Sequence, residues 1–134
     1  MFDHDDRTYA ESKLAEIALA CPELYKEGYG HAGVPAGEPL TAVDPSEFLR
    51  AVTFLRQVKA VKTPNRNRTS HGYRLVAERW WQKHHADNPS ISNGAFIAAA
   101  LALGFTTRRI NNNRNALIGI SQHSLSLTVS KNGL

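Results

Sequence analysis

The sequence predicts a mainly α-helical protein: a compact single-domain bundle of four to five helices, with a long Gly/Pro loop and a short C-terminal strand or extended tail. Three observations point there. Apolar residues recur at three- and four-residue spacing in four separate stretches. Each stretch follows a Ser, Thr or Asp able to cap a helix. The 134 residues, 42% of them hydrophobic, suffice for one domain with a real core, 1–134, and show no internal repeat.

Residues 5–20 form the first predicted helix. Asp5 or Asp6 is the expected cap, and early acids suit the positive end of the helix dipole. Leu14, Ile17, Ala18 and Cys21 make its apolar stripe, and Pro22 ends it. A Gly/Pro-rich loop follows from about Glu27 to Pro39. Its glycines lack the spacing of a phosphate-binding loop and precede no Gly-Lys-Ser.

Asp44-Pro45-Ser46-Glu47 opens the second helix. Asp44 is the cap, Pro45 takes the first helical position, and Glu47 is expected to complete a capping box. Phe48, Val52 and Leu55 run down its buried side, while Arg50, Arg56 and Lys59 begin a positive region. Residues 62–68 read as an irregular basic connector, because Pro64 and the asparagines oppose regular structure.

Thr69 or Ser70 starts the next helix, with Tyr73, Val76, Ala77, Trp80 and His84 on one face. Adjacent Trp80 and Trp81 point about 100° apart on a helix. Either one is core and the other rim, or Trp81 is a contact residue for a protein partner. Asn88-Pro89 breaks the helix. Ser90 or Ser92 begins an Ala-rich helix, apolar all round and hence buried. Gly104 is its natural C′ residue, with Phe105 folding back.

The stretch TTRRINNNRNALIGIS has two readings. Thr106 or Thr107 could cap a further helix, giving the outline of a helix-turn-helix, or the asparagines mark a solvated turn-rich loop. Alternation at Leu125, Leu127 and Val129 suggests the C-terminal strand, with Asn132-Gly133 as a final turn. The core is expected to draw on Leu14, Ile17, Phe48, Val52, Leu55, Val76, Trp80, Phe96, Ile97, Leu101 and Ile118.

The charge layout carries the functional expectation. Residues 1–49 hold ten acids against three bases, and residues 50–134 hold thirteen bases against two acids. Such asymmetry predicts a polyanionic partner for the basic part, unless the acidic part folds over it and neutralises it. The candidate binding residues are Arg56, Lys59, Lys62, Arg66, Arg68, Arg74 and Arg79, then Arg108, Arg109, Asn112 and Arg114. Arginines can neutralise phosphates, and asparagines suit base edges or backbone.

Catalysis is not expected. The single cysteine, Cys21, rules out an intramolecular disulfide and a Cys-based zinc site. No histidine pair has HExxH spacing, and His84 and His85 point to different sides of a helix. No serine has a nucleophile-elbow context. No metal or cofactor is therefore expected. The single cysteine fits a reducing, cytoplasmic setting. The acidic start MFDHDDR does not read as a basic-then-apolar leader, and the Ala-rich helix is short of the ~20 apolar residues a membrane span needs. A cytoplasmic protein without a membrane partner is expected.

Three stretches, SHGYRLVAERW (70–80), SNGAFIAAALALGF (92–105) and NALIGISQHSL (115–125), resemble a recurring pattern in small accessory proteins of phages, plasmids and other mobile elements. There a Ser-x-Gly helix precedes a Ser-Asn-Gly-led Ala-rich helix and a closing Asn-Ala-x-x-x-Ile-Ser segment. This chain differs at Tyr73, Arg74 and Leu75, where the pattern more often has an aliphatic residue and Lys-His. The resemblance implies a context: binding nucleic acid or a nucleoprotein complex, or blocking a bacterial defence protein as an anti-CRISPR-type inhibitor does.

Overall fold

The computed structural model describes residues 2–131. Helix α1 (His4–Ala20) starts earlier than expected because Asp3 caps it. The Asp3 carboxylate accepts the Asp6 amide at 2.8 Å, and Asp6 accepts that of Asp3 at 3.1 Å, a closed capping box. Ala10, Leu14 and Ile17 face inward.

The expected Gly/Pro loop is ordered. Strands β1 (Leu24–Tyr25) and β2 (Gly28–Tyr29) pair as a tight antiparallel hairpin. Backbone bonds from Lys26 N–H to the Glu38 carbonyl and from Glu27 N–H to the Ala36 carbonyl lay the rest of the segment back on it. A 3-10 turn at Leu40–Ala42 leads into α2 (Pro45–Leu55).

Asp44 caps α2 as expected, but Glu47 completes no capping box. Its carboxylate accepts the Ser92 amide at 2.6 Å instead, tying α2 to the start of α4. Arg50 belongs to the same joint. It is 6% exposed and donates through two nitrogens to the Ser90 carbonyl at 3.0 and 2.8 Å, so it is not part of a positive surface.

Helix α3 (Ser70–His84) buries Ser70, Tyr73, Ala77 and both tryptophans, while Val76 is only half-buried and His84 is exposed. Trp81 corrects the sequence reading. It is 1% exposed, stacks on His85 at 3.8 Å and donates to Asp87 at 2.9 Å. The chain after α3 returns over it, so it is a core residue and offers no surface to a partner.

Helix α4 (Asn93–Ala102) is the central element, with α1, α2 and α3 packed around it. Phe54 of α2 meets Trp80 edge-on at 5.7 Å and Phe96 of α4 at 6.4 Å. Truncating such a buried ring costs about 3–5 kcal/mol. Gly104, at φ +82°, ends α4 as the C′ residue. Phe105 N–H reaches the Ala100 carbonyl and Gly104 N–H that of Leu101, a Schellman motif that buries Phe105 as anticipated.

Beyond α4 the sequence reading needs two corrections. Residues 107–118 form an antiparallel hairpin, β3 (Thr107–Arg109) with β4 (Ala116–Ile118). This stretch is neither a helix nor the second half of a helix-turn-helix, and the turn-rich loop reading holds for residues 110–115 alone. Asparagines are poor helix formers, and Asn112 sits at φ 57°, the left-handed region that Asn tolerates in turns. The C-terminal segment is helix α5 (Gln122–Lys131), not a strand. Ser121 Oγ accepts the Ser124 amide at 3.1 Å at its start. Leu125 and Val129, four apart, share its inner side, and Leu127 is 56% exposed. The proposed turn at Asn132-Gly133 lies outside the described residues. No helix among the described residues is long and apolar enough to cross a membrane.

Candidate functional site

The two halves of the chain meet where the β1–β2 segment faces the β3–β4 hairpin. Tyr29 N–H donates to the Arg114 carbonyl at 2.9 Å. Arg109 donates to the Gly30 carbonyl at 2.9 Å, and its guanidinium lies 4.3 Å over the Tyr29 ring. Gly28, at φ +120°, is required here: a Cβ would sit 2.3 Å from the Arg114 carbonyl oxygen.

One residue clamps this junction to the core. Asn93, first in α4, donates through Nδ2 to the Glu27 carbonyl at 3.1 Å and to Asn115 Oδ1 at 2.9 Å. Gly94 beside it lets the β1–β2 turn touch the helix, since a Cβ would stand 2.0 Å from the Tyr25 carbonyl oxygen. From α3, Ser70 Oγ accepts the Ala116 amide at 3.0 Å, fixing β4 against the helix start. The asparagines of the hairpin loop act locally as well: Asn113 Oδ1 accepts the Asn115 amide at 2.9 Å.

Between the two loops runs a trough of three cavities in series. The first, about 470 Å³, lies among Glu23, Tyr25, His31, Arg109 and Asn111. It shares His31 and Asn112 with a second of about 360 Å³. That one shares Arg114 with a third of about 300 Å³, bounded by Glu27, His71, Arg74 and Asn93.

Of the residues expected to bind, the structure thus gathers Arg74, Arg109, Asn112 and Arg114 on one trough. Arg108 alternates with Arg109 along β3 and presents to the opposite face. Arg66 is exposed on the connector, and Arg68 reaches the start of α3, 5.6 Å over the Tyr73 ring. Lys59 is exposed where the connector's first residues bond to residues 119–124, with Lys62 just beyond. Arg56 lies elsewhere, in a cleft with Phe2, Asp6 and Tyr9. Arg79 is exposed on α3 outside the trough. Arg74 is half-buried, with Glu78 at 3.4 Å and the Ile91 carbonyl at 3.2 Å.

Among the described residues, Arg56, Lys59, Lys62, Arg66, Arg68, Arg79, Arg108, Arg109 and Arg114 form no ion pair with a carboxylate. The acidic first part meets the basic part through backbone carbonyls at Glu27 and Gly30 and through the Glu47 carboxylate on the Ser92 amide. Burial pushes the Tyr29 phenol up to about 12, with Cys21 and Glu23 adding to the shift and Arg109 opposing it. Burial and Glu23 likewise raise the Cys21 thiol, the wrong direction for a nucleophile.

Sequence reasoning missed His31, Tyr29, His71, Asn93 and Asn115 as trough residues. A signal existed for one of them. Asn93-Gly94 places two poor helix formers in the first turn of an otherwise Ala-rich helix, which marks a close backbone approach. No protein-family model, no curated protein and no solved structure matches the chain.

Proposed function

We propose that this protein binds nucleic acid, alone or within a nucleoprotein complex, and catalyses no reaction on it. The supporting observation is the set of nine exposed bases without carboxylate partners. Their field reaches solvent and suits the regular charge of a phosphate backbone. The trough adds polar and aromatic groups beside Arg109 and Arg114, which serve bases of an unpaired strand better than a closed duplex. A hairpin rather than a recognition helix presents these arginines, so the reading does not include helix insertion into a major groove. The resemblance to mobile-element accessory proteins supports the same reading.

Fluorescence anisotropy with labelled duplex DNA, single-stranded DNA and RNA at rising salt tests it. On duplex DNA log K is expected to fall linearly with log salt, with a slope near −0.9 per phosphate contact. Arg108→Ala and Arg114→Ala should each weaken binding across sequences and flatten that slope by about 1. Absence of binding to all three polymers at low salt would sink the reading. The basic surface would then be assigned to an acidic protein face, as in an occluding inhibitor of a defence complex.

A further inference from the structure

The start of α3 combines charge and geometry in a way that stability alone does not explain. Thr69 occupies the cap position without a side-chain bond to the helix, and the first turn has no acid. Among the described residues, the amides of Ser70, His71 and Gly72 have no acceptor. Around this positive dipole end stand Arg68, Arg74 and Arg114; Glu27 lines the same cavity and Glu78 pairs with Arg74 at 3.4 Å, leaving an excess of cations. Cations at a helix N-terminus are unfavourable, and an anion reverses the sign of the whole arrangement.

A second observation is independent of the helix end. Asn93 is 4% exposed and lines the same 300 Å³ cavity as His71, Arg74 and Arg114. Its Nδ2 is satisfied, yet its Oδ1 is buried without a partner, as is Arg74 Nε. A buried acceptor without a donor is costly unless a ligand supplies one. His71 Nδ1 lies 3.1 Å from an Arg74 nitrogen, and arginine only donates, so Nδ1 accepts and Nε2 keeps its proton as a further donor. A ligand matched to this lining carries anionic oxygens and at least one hydrogen-bond donor.

We infer that this cavity binds a nucleotide's terminal phosphate monoester, at the end of a nucleic-acid strand or on a free nucleotide. The strand-end form rests on the nucleic-acid reading above. Arg74, Arg114, His71 Nε2–H and the His71 amide receive the phosphate oxygens, in a lining that Glu27 also shares. A sugar hydroxyl or base N–H of the same nucleotide donates to Asn93 Oδ1. A monoester carries about −1.5 to −2 at neutral pH against −1 for a diester, so a site with several arginines at a helix start favours a strand's end over its interior.

The test uses one single-stranded sequence with a 5′-phosphate, a 3′-phosphate or hydroxyl ends, together with nucleoside monophosphates followed by calorimetry and by amide NMR shifts at His71 and Gly72. One phosphorylated end is expected to bind at least tenfold tighter than the hydroxyl form. Arg74→Gln should abolish that preference. Because Arg74 also holds the Ile91 carbonyl, Thr69→Asp provides a second variant: its carboxylate caps the same amides and should remove the preference without unfolding the helix. Equal affinity for all three ends, with no monophosphate binding, overturns the phosphate site and leaves the basic surface standing. Monophosphate binding that shifts His71 and Gly72, with no affinity for any strand, retains the cavity as a nucleotide site and sinks the nucleic-acid reading. Binding of neither kind overturns both.

Discussion

Two helix starts face each other across the third cavity, and they are finished in opposite ways. At α4, Ser92 Oγ accepts the Ala95 amide at 3.3 Å, Glu47 accepts the Ser92 amide, and Gly94 N–H reaches the Lys26 carbonyl at 2.7 Å. Few first-turn groups there remain for a ligand. At α3, three amides have no acceptor among the described residues, and Arg68, Arg74 and Arg114 stand near them, with Glu27 in the same cavity lining and Glu78 paired to Arg74. The first start holds the fold together. The second forgoes stability that a single acid at Thr69 would supply.

The two glycines of these first turns give the largest expected contrast. An alanine methyl at Gly94 would strike the Tyr25 and Lys26 backbone, which cannot step aside. Gly94→Ala should therefore cost about 3 kcal/mol in urea unfolding, the upper end for overpacked sites. At Gly72 the nearest atom is Arg68 Cγ at 2.7 Å, on a flexible side chain. Gly72→Ala should stay within about 0.5 kcal/mol of the parent, since alanine's better helix propensity offsets the displaced arginine. Equal costs at both positions would erase the contrast.

A smaller effect of opposite sign sharpens it. Thr69→Asp should raise stability by about 1 kcal/mol through capping and dipole complementarity, whereas Ser92→Ala should lower it by a similar amount. Loss of stability in Thr69→Asp would show that the α3 start lacks nothing.

The smallest effect lies on the trough wall. The Tyr29 phenol is held at about 12 in the folded protein against an ordinary value of 10.0. The folded state thus keeps the proton that the unfolded chain releases first. Its contribution is complete below about pH 10 and is lost as pH rises toward 12. Tyr29→Phe should flatten the decline of thermal stability over that interval, and an unchanged decline would place the alkaline sensitivity elsewhere.

Helices α1 to α4 were legible in the sequence because their signals are local. Caps, proline positions and three-to-four spacing all lie within a few residues of what they specify. The β3–β4 hairpin was not, since Arg108 and Leu117 pair across a loop whose asparagines announce a turn but not its partners. Leu125, Leu127 and Val129 misled because residues two apart and four apart fit either period over so short a run. The charge asymmetry named the bases, but composition cannot separate Arg50, spent on a buried carbonyl, from Arg108, exposed on a strand. Trp81 needed the return of Asp87 over the helix end before its burial could be known.

The Asn93 clamp also has a consequence for the order of assembly. It joins Glu27 to a residue 66 positions later, and Arg109 reaches Gly30 across 79. Contacts of such separation are made after local helices, once loop-closure entropy has been met. A nascent chain that has produced α1 to α4 already carries much of the positive charge but no trough. The trough exists only when residues 109–115 dock on the β1–β2 turn, so its presence reports that distant parts of the chain have found each other. A ligand seated between the two loops would favour that closed arrangement by mass action, making occupancy and completed folding mutually reinforcing.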